Sequence, residues 1–329
     1  MADIVKRLLE SEDPAVRVKT AVAILGADPY SLESMVKRAE IKSSPRVQKL
    51  LSERDENGRI PNGTYRKWSG AHWVLACLAD IGYPPGDESL LPLREQVYGW
   101  LLSEKHERSI KTIEGRVRRC ASQEGNALYY LLVLGLADSR TEELAQRLIK
   151  WQWDDGGWNC DKRPEAIHSS FMETLIPLRG LVWHSKLTGA GDSAAAARRA
   201  ANVFLKRRLY KRESDGTVIN EDFTRLHYPC YWHYDVLFGL KVMAEAGLIR
   251  DKRCEDALDL LESKRLPDGG FPAEAKYYTV SEELRSGRSL VDWGGVSKNR
   301  MNEFVTADAL YVLKAAGRIN PTLELPPDY

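Results

Sequence analysis

Leu148-Ile149-Lys150-Trp151-Gln152-Trp153-Asp154-Asp155-Gly156-Gly157-Trp158 closes one kind of helix and opens another. The residues before it, Glu142 to Trp151, are amphipathic and charged. Asp155-Gly156-Gly157 then supplies a tight turn, because Asp-Gly tolerates positive φ at little steric cost. A second copy runs from Leu260 to Phe271, with Asp268-Gly269-Gly270-Phe271 at its turn. Weaker copies of the turn stand at Asn62-Gly63-Thr64-Tyr65 and Asp215-Gly216-Thr217. Leu-Leu pairs close amphipathic stretches at Leu50-Leu51, Leu101-Leu102 and Leu260-Leu261, with relatives at Leu148-Ile149 and Phe204-Leu205. The intervals are about 50 to 56 residues, the range of a helical repeat.

Each turn is followed by a stretch that is apolar on all sides: His72 to Ile81, Asn126 to Leu136, Ser169 to Val182, Tyr231 to Ala246 and Phe304 to Ala316. A helix apolar all round is buried. The amphipathic stretches, such as Arg253 to Lys264, read as outer helices. Ala2 to Glu10 and Pro14 to Leu25 add a sixth pair at the N-terminus, with Ser11 and Asp13 as caps. The expectation is an all-α chain, an (α/α)6 toroid of inner and outer helices. Residues 1–45 form a HEAT-like helical pair and linker packed on or completing the ring, and residues 46–329 form the toroid. An open solenoid is the alternative, and the apolar inner helices favour closure. Gly156, Gly157, Gly269 and Gly270 are expected to shape the turns, Trp158 and Phe271 to pack between helix pairs, and the tail from Pro321 to Tyr329 to wrap the ring.

The Leu148–Trp158 stretch resembles the glutamine–tryptophan repeat of squalene cyclases, and Leu260–Phe271 is similar to a degenerate copy. The superfamily joins squalene cyclases to the β-subunits of protein prenyltransferases. The resemblance covers about residues 50 to 320 and implies the toroid fold. It also implies acid–base chemistry on an apolar, isoprenoid substrate in a central cavity. The Asp-x-Asp-Asp proton donor of the cyclases does not occur in this chain. Prenyltransferases set an Asp-x-Cys-Tyr element at the start of one inner helix and a His at the next. Here Tyr228-Pro229-Cys230-Tyr231 keeps the Cys and Tyr, while Tyr228 replaces the Asp and Val305 replaces the His. Arg225 falls where that family places a basic residue against diphosphate.

Lys and Arg total 48 against 47 Asp and Glu, so the net charge is +1. That balance excludes a strongly basic nucleic-acid clamp. The start, Met1 to Arg7, lacks the apolar core of a secretory signal, and Ala127 to Ala137 is too short to span a bilayer. Five scattered cysteines without a Cys-x-x-Cys pair suit a reducing cytoplasm. Peripheral membrane contact and the oligomeric state are left open. Nine Trp and fourteen Tyr against six Phe favour rings with a polar edge, which suit pocket walls.

In a ring of this type the start of every inner helix faces one mouth, and unusual residues gather there. The catalytic candidates are His168, His233, Glu124, Glu173, Asp235, His227, Cys120 and Cys160. Imidazoles and buried carboxyls serve as acids and bases near neutrality, and Cys120 follows arginines that would favour its thiolate. Trp68, His72, Tyr228, Tyr231, Trp232 and Arg225 are expected to contact substrate. Cys160, His168, His227, Cys230 and His233 are acceptable zinc ligands by type, though none shows finger or helical-site spacing, and no other cofactor is indicated. The readings that compete with an isoprenoid enzyme are a non-catalytic toroid holding a lipid or peptide, and a hydrolase or lyase of a polar substrate.

Overall fold

The protein is described from a computed structural model over residues 2–61, 63–283 and 285–321. The tail from 322 to 329 and Asn62 lie outside the described residues. The helices are α1 (Ala2–Leu9), α2 (Pro14–Lys19), α3 (Leu32–Ala39), α4 (Pro45–Leu51), α5 (Ala71–Asp80), α6 (Leu91–Leu101) and α7 (Glu104–Arg108). They continue as α8 (Ser122–Val133), α9 (Ser139–Trp151), α10 (Phe171–Thr188), α11 (Gly191–Leu205), α12 (Val236–Glu245), α13 (Glu255–Ser263) and α14 (Glu303–Ala315). Among the described residues the strands are two short pairs, Lys111–Ile113 antiparallel to Arg116–Arg118 and Thr279–Val280 parallel to Arg288–Ser289.

The architecture is an all-α toroid. Helices α5, α8, α10, α12 and α14 form successive inner neighbours, and α2 with its π-helical extension Thr20–Leu25 packs against α14. A cavity of about 250 Å³ has residues of all six on its wall, among them Val18, Asp80, Tyr129, Arg179, Lys241 and Asp308. A cavity bordered by the first and last inner helices together is a closed ring, not an open solenoid. The apolar inner helices are buried as their composition requires: Leu75 and Leu78 of α5, Leu128 and Leu131 of α8, and Leu178 and Leu181 of α10 have essentially no exposed surface. Each such side chain contributes about 1.5–3 kcal/mol relative to exposure.

The two repeat turns are the same structure. The Trp158 N–H donates to Thr174 Oγ1 at 3.2 Å, and the Phe271 N–H donates to Thr306 Oγ1 at 2.9 Å. Each threonine lies near the start of the inner helix that follows and returns its hydroxyl to the carbonyl of the same aromatic residue. The Trp158 indole also donates to the Leu148 carbonyl at 3.0 Å. The two glycines of each turn have different tasks. Gly156 and Gly269 carry φ of +105° and +87°, which side chains resist. Gly157 and Gly270 instead make room: a Cβ on Gly157 would stand 2.4 Å from Thr174 Oγ1, and one on Gly270 would stand 2.6 Å from Met301 Cβ.

One inner helix starts later than its composition suggests. α12 begins at Val236, not Tyr231. The Asp235 carboxylate accepts from the Phe238 N–H at 2.7 Å and caps the helix. Residues 228–234 form a strap, with Tyr231 at φ +48°.

Inside the ring, charges from different inner helices meet. Asp80 of α5 pairs with Lys241 of α12 at 2.9 Å and with Arg179 of α10 at 3.3 Å. Lys241 also reaches Asp308 of α14 at 2.8 Å, and Lys19 of α2 reaches the same carboxylate at 2.8 Å. Arg179 pairs with Glu245 at 2.7 Å and lies 3.8 Å from the centre of the Tyr129 ring. Burial pushes the Asp80 carboxyl up, but Lys241, Lys19 and Arg179 override it and hold the group well below the usual range. All six charges are thus matched where water is scarce. Removing one would leave its partner buried and uncompensated.

Candidate functional site

The strap occupies the shaft of the ring. Tyr228, Pro229, Cys230 and Tyr231 line a cavity with Ala76, Cys77, Asn126, Arg179 and Phe238, and its volume is about 30 Å³. That is the share of one water molecule in the liquid, about 30 Å³. Pockets for organic ligands run to about 300–1,000 Å³. Beside the strap an isoprenoid finds no room, while the cavity of about 250 Å³ among the inner helices has Asp80, Arg179, Lys241 and Asp308 on its wall. Tyr228 stacks on Phe304 with ring centres 4.6 Å apart, and Val305 is buried. An aromatic pair and an aliphatic side chain do not fit a zinc ion at the place where prenyltransferases hold theirs.

Beside the plug, at the mouth where the inner helices begin, three side chains converge. Cys120 precedes α8, Cys160 lies in the loop before α10, and Glu173 sits in the first turn of α10. Their Sγ, Sγ and carboxylate oxygen all lie within 4.8 Å of one another, and all three residues are half-buried. The Ser122 N–H at the start of α8 donates to Glu173 Oε2 at 3.0 Å. The Cys160 thiol donates to Glu173 Oε1 at 3.6 Å. Burial pushes the Glu173 carboxyl up. A hydrogen bond from Cys160, helped by the charge of Arg119, pulls the Cys120 thiol down against its burial. That same bond and burial raise Cys160.

Behind the trio stands a second layer. Arg119 donates to Glu124 Oε1 through Nε at 3.0 Å and Nη2 at 2.8 Å, and to Gln123 Oε1 at 2.7 Å. His106 Nε2 touches the same Glu124 oxygen at 3.1 Å and also contacts Arg119. Glu124 is fully buried and bonds Arg119. Tyr65, half-buried, hydrogen-bonds Gln123, and burial pushes its phenol up to about 12. His72 is fully buried with Nδ1 3.0 Å from the Tyr130 hydroxyl and Nε2 unpartnered. Burial pulls its pKa down to about 3.

A separate cluster surrounds the start of α12. His227 Nδ1 lies 2.8 Å from the Asp235 carboxylate, and both are buried. His233 is sandwiched between Trp232 and Tyr277, with ring centres 3.9 and 3.7 Å away. Burial, with the charges of His227 and Lys67, pulls His233 down to about 3. Trp68 stacks on Tyr231 at 3.9 Å and lies 5.8 Å from the His233 ring. An aromatic seam thus joins the two clusters.

The structure sorts the sequence candidates. Cys120, Cys160 and Glu173 are brought together, with Glu124 one layer behind. His227, His233, Asp235, Trp68, Tyr231 and Trp232 gather in the second cluster. His168 is exposed on the loop before α10, and its backbone carbonyl accepts from Asn159 Nδ2 at 2.9 Å. Arg225 is exposed and pairs with Asp222. The five candidate zinc ligands do not meet as one set: Cys160 faces Cys120 and Glu173, Cys230 lines the shaft, and the His227 and His233 ring centres are 6.1 Å apart. His106 and Tyr65 were not singled out by the sequence reading. His106 lies on a five-residue helix with no repeat signal to mark it.

The class of protein these observations define is an α/α toroid with a plugged shaft and a thiol–carboxylate centre at one mouth. Neither a protein-family model nor a curated protein matches the chain. Among solved structures, an unsaturated glucuronyl hydrolase from Bacillus sp. GL1 is similar at 14% identity, covering 92% of this chain and 84% of that one, with a TM-score of 0.44. The type II terpene cyclase MstE from Scytonema, in complex with geranylgeranyl dihydroxybenzoate, is similar at 14% identity, covering 88% and 100%, with a TM-score of 0.27. At that level neither likeness bears on the chemistry of this chain. Among the described residues no helix is long and apolar enough to cross a membrane. Tyr30, Leu32, Met35 and Val36 expose an apolar face at α3.

Proposed function

We propose that the chain is an enzyme, a hydrolase or lyase of a polar substrate, whose reaction centre is Cys120, Cys160 and Glu173 at the mouth where the inner helices begin. The convergence of these donor atoms within 4.8 Å, each residue partly buried, carries the reading. Side chains from separate segments, one on inner helix α10 and two just before inner helices, meet where each keeps some exposed surface. Such a centre can take up and return a proton or activate water. The groups around it are polar: the Ser122 N–H, Gln123 and the Tyr65 hydroxyl. The aromatic rings behind it are engaged with one another and offer little free face to an apolar chain.

The isoprenoid reading stands second, favoured by the aromatic seam. The pocket beside the strap, about 30 Å³, admits no prenyl unit, and the cavity of about 250 Å³ between the inner helices is walled by the charges of Asp80, Arg179, Lys241 and Asp308. Turnover is to be measured on glycosides, uronides and polar esters, and in parallel on isoprenoid diphosphates and polyprenes. Activity in the polar set, lost at least about 100-fold in Glu173→Gln with the melting temperature retained, supports the proposal. Activity confined to isoprenoids overturns it. An unchanged rate in Glu173→Gln overturns the assignment of the centre. No turnover with either set, together with a co-purifying lipid or peptide, supports the non-catalytic binding alternative.

A further inference from the structure

We infer that Cys120 Sγ, Cys160 Sγ and Glu173 Oε1 form a three-ligand site for a zinc ion, with the fourth position open to solvent. The inference names the cofactor of the centre proposed above. Binding itself does not depend on that centre's being catalytic.

Geometry carries the argument. Tetrahedral zinc holds thiolate sulfur at about 2.3 Å and carboxylate oxygen at about 2.0–2.2 Å. Those bond lengths place two sulfurs about 3.8 Å apart, and sulfur and oxygen about 3.5 Å apart. Cys160 Sγ and Glu173 Oε1 are 3.6 Å apart, and all three donors fall within 4.8 Å. An ion would therefore fit with side-chain adjustments of an ångström or less. The carboxylate is already oriented: the Ser122 N–H holds Oε2 at 3.0 Å and leaves Oε1 toward the sulfurs. Outer hydrogen bonds of this kind fix a ligand before the metal arrives.

The donor set selects the ion. Two thiolates are soft ligands and favour zinc over magnesium or calcium, which take oxygen. The cytoplasm expected for this chain would keep both thiols reduced. Three protein ligands with one position left for water is the pattern of catalytic, not structural, zinc. All three residues are half-buried, so solvent reaches the fourth position. Zinc held by these residues would displace the thiol protons and would supply a polarised water for the acid–base task.

The full chain, purified under reducing conditions and stripped with a chelator, is to be titrated with zinc and with cobalt(II) as spectroscopic probe. One equivalent of zinc is expected. Cobalt should give a thiolate-to-metal charge-transfer band and the visible bands of a tetrahedral site. Cys120→Ser and Cys160→Ser should each weaken zinc at least about tenfold and diminish the charge-transfer band, and Glu173→Gln should weaken zinc while keeping that band. Cys254→Ala, whose sulfur bonds the Leu248 carbonyl elsewhere in the ring, should change nothing. Binding far below one equivalent overturns the inference, as does a cobalt spectrum without thiolate ligation. A Cys120–Cys160 disulfide that persists under reducing conditions also overturns it. Zinc bound without turnover would remove only the enzymatic reading. Turnover undiminished in the stripped protein would remove only the metal's part in it.

Discussion

The two ends of the ring handle buried charge in opposite ways. Deep among the inner helices, Lys19, Arg179 and Lys241 are matched one for one by Asp80, Glu245 and Asp308. Each is drawn from a different turn of the repeat or its neighbour, and their mutual field keeps Asp80 ionised. At the mouth where the helices start, Arg119 meets Glu124 and His227 meets Asp235, but the pairing is incomplete. His72 Nε2, His227 Nε2, His233 Nδ1 and Glu124 Oε2 have no hydrogen-bond partner, and Glu173 and Cys120 are displaced toward each other's range. A matched network is a lock. A set of incompletely matched groups with displaced ionisation is where chemistry is expected, because such groups gather at working sites.

The contrast can be broken first at the lock. Lys241→Met leaves three interior carboxylates, Asp80, Asp308 and Glu245, to two cations, Lys19 and Arg179, and should cost about 3–5 kcal/mol in urea unfolding. A loss under about 1 kcal/mol, the scale of an exposed pair, would show that the network holds nothing together.

Acid separates the two ends next. His72 and His233 have folded pKa values of about 3 against 6.5 for the free group. The unfolded chain therefore takes up protons first, so stability is intact above pH 6.5 and is lost as pH falls toward 3. The slope is about 1.4 kcal/mol per pH unit for each histidine, or about 2 kcal/mol each at pH 5. Asp80, held below 3.8, loses its contribution only at more acid pH. Unfolding midpoints at pH 7 and pH 5 should differ far less in His72→Phe/His233→Phe than in the parent chain. Equal differences would mean that the folded histidines already carry protons.

The turns at the mouth give the smallest effects. Gly157→Ala drives a Cβ against Thr174 Oγ1 and Ser169, on the helix that carries Glu173. It should cost about 1–3 kcal/mol, the usual penalty of overpacking. Gly270→Ala meets Met301 Cβ at 2.6 Å, an atom fixed to the backbone, and should also cost about 1–3 kcal/mol. Thermal melts of the two variants read this directly, and a loss under about 0.5 kcal/mol in either would refute the close-approach task that Gly157 and Gly270 share.

Where the sequence reading succeeded, the signal was local. Trp158 and Phe271 sit in equivalent turns because each bonds a threonine near the start of the next helix, and both partners lie within one repeat. Where it went astray, a local pattern was outbid. Tyr231 to Tyr234 are aromatic enough to extend α12, yet Asp235 caps that helix, Tyr231 lines the shaft, Trp232 stacks on His233 and Tyr234 packs on Phe171. The charged lock left one trace that was not used: Lys241 and Asp308 each interrupt an otherwise apolar helix.

By itself the sequence determined the helical repeat, the apolar inner layer and the residue types at the mouth, because periodicity and turn chemistry act over a few residues. Only the tertiary structure decided that Cys120 meets Cys160 and Glu173, that His168 stands apart in solvent, and that the strap plugs the shaft. Those outcomes depend on how the ring closes, which brings together side chains dozens of residues apart. No local pattern records which of them will share a face.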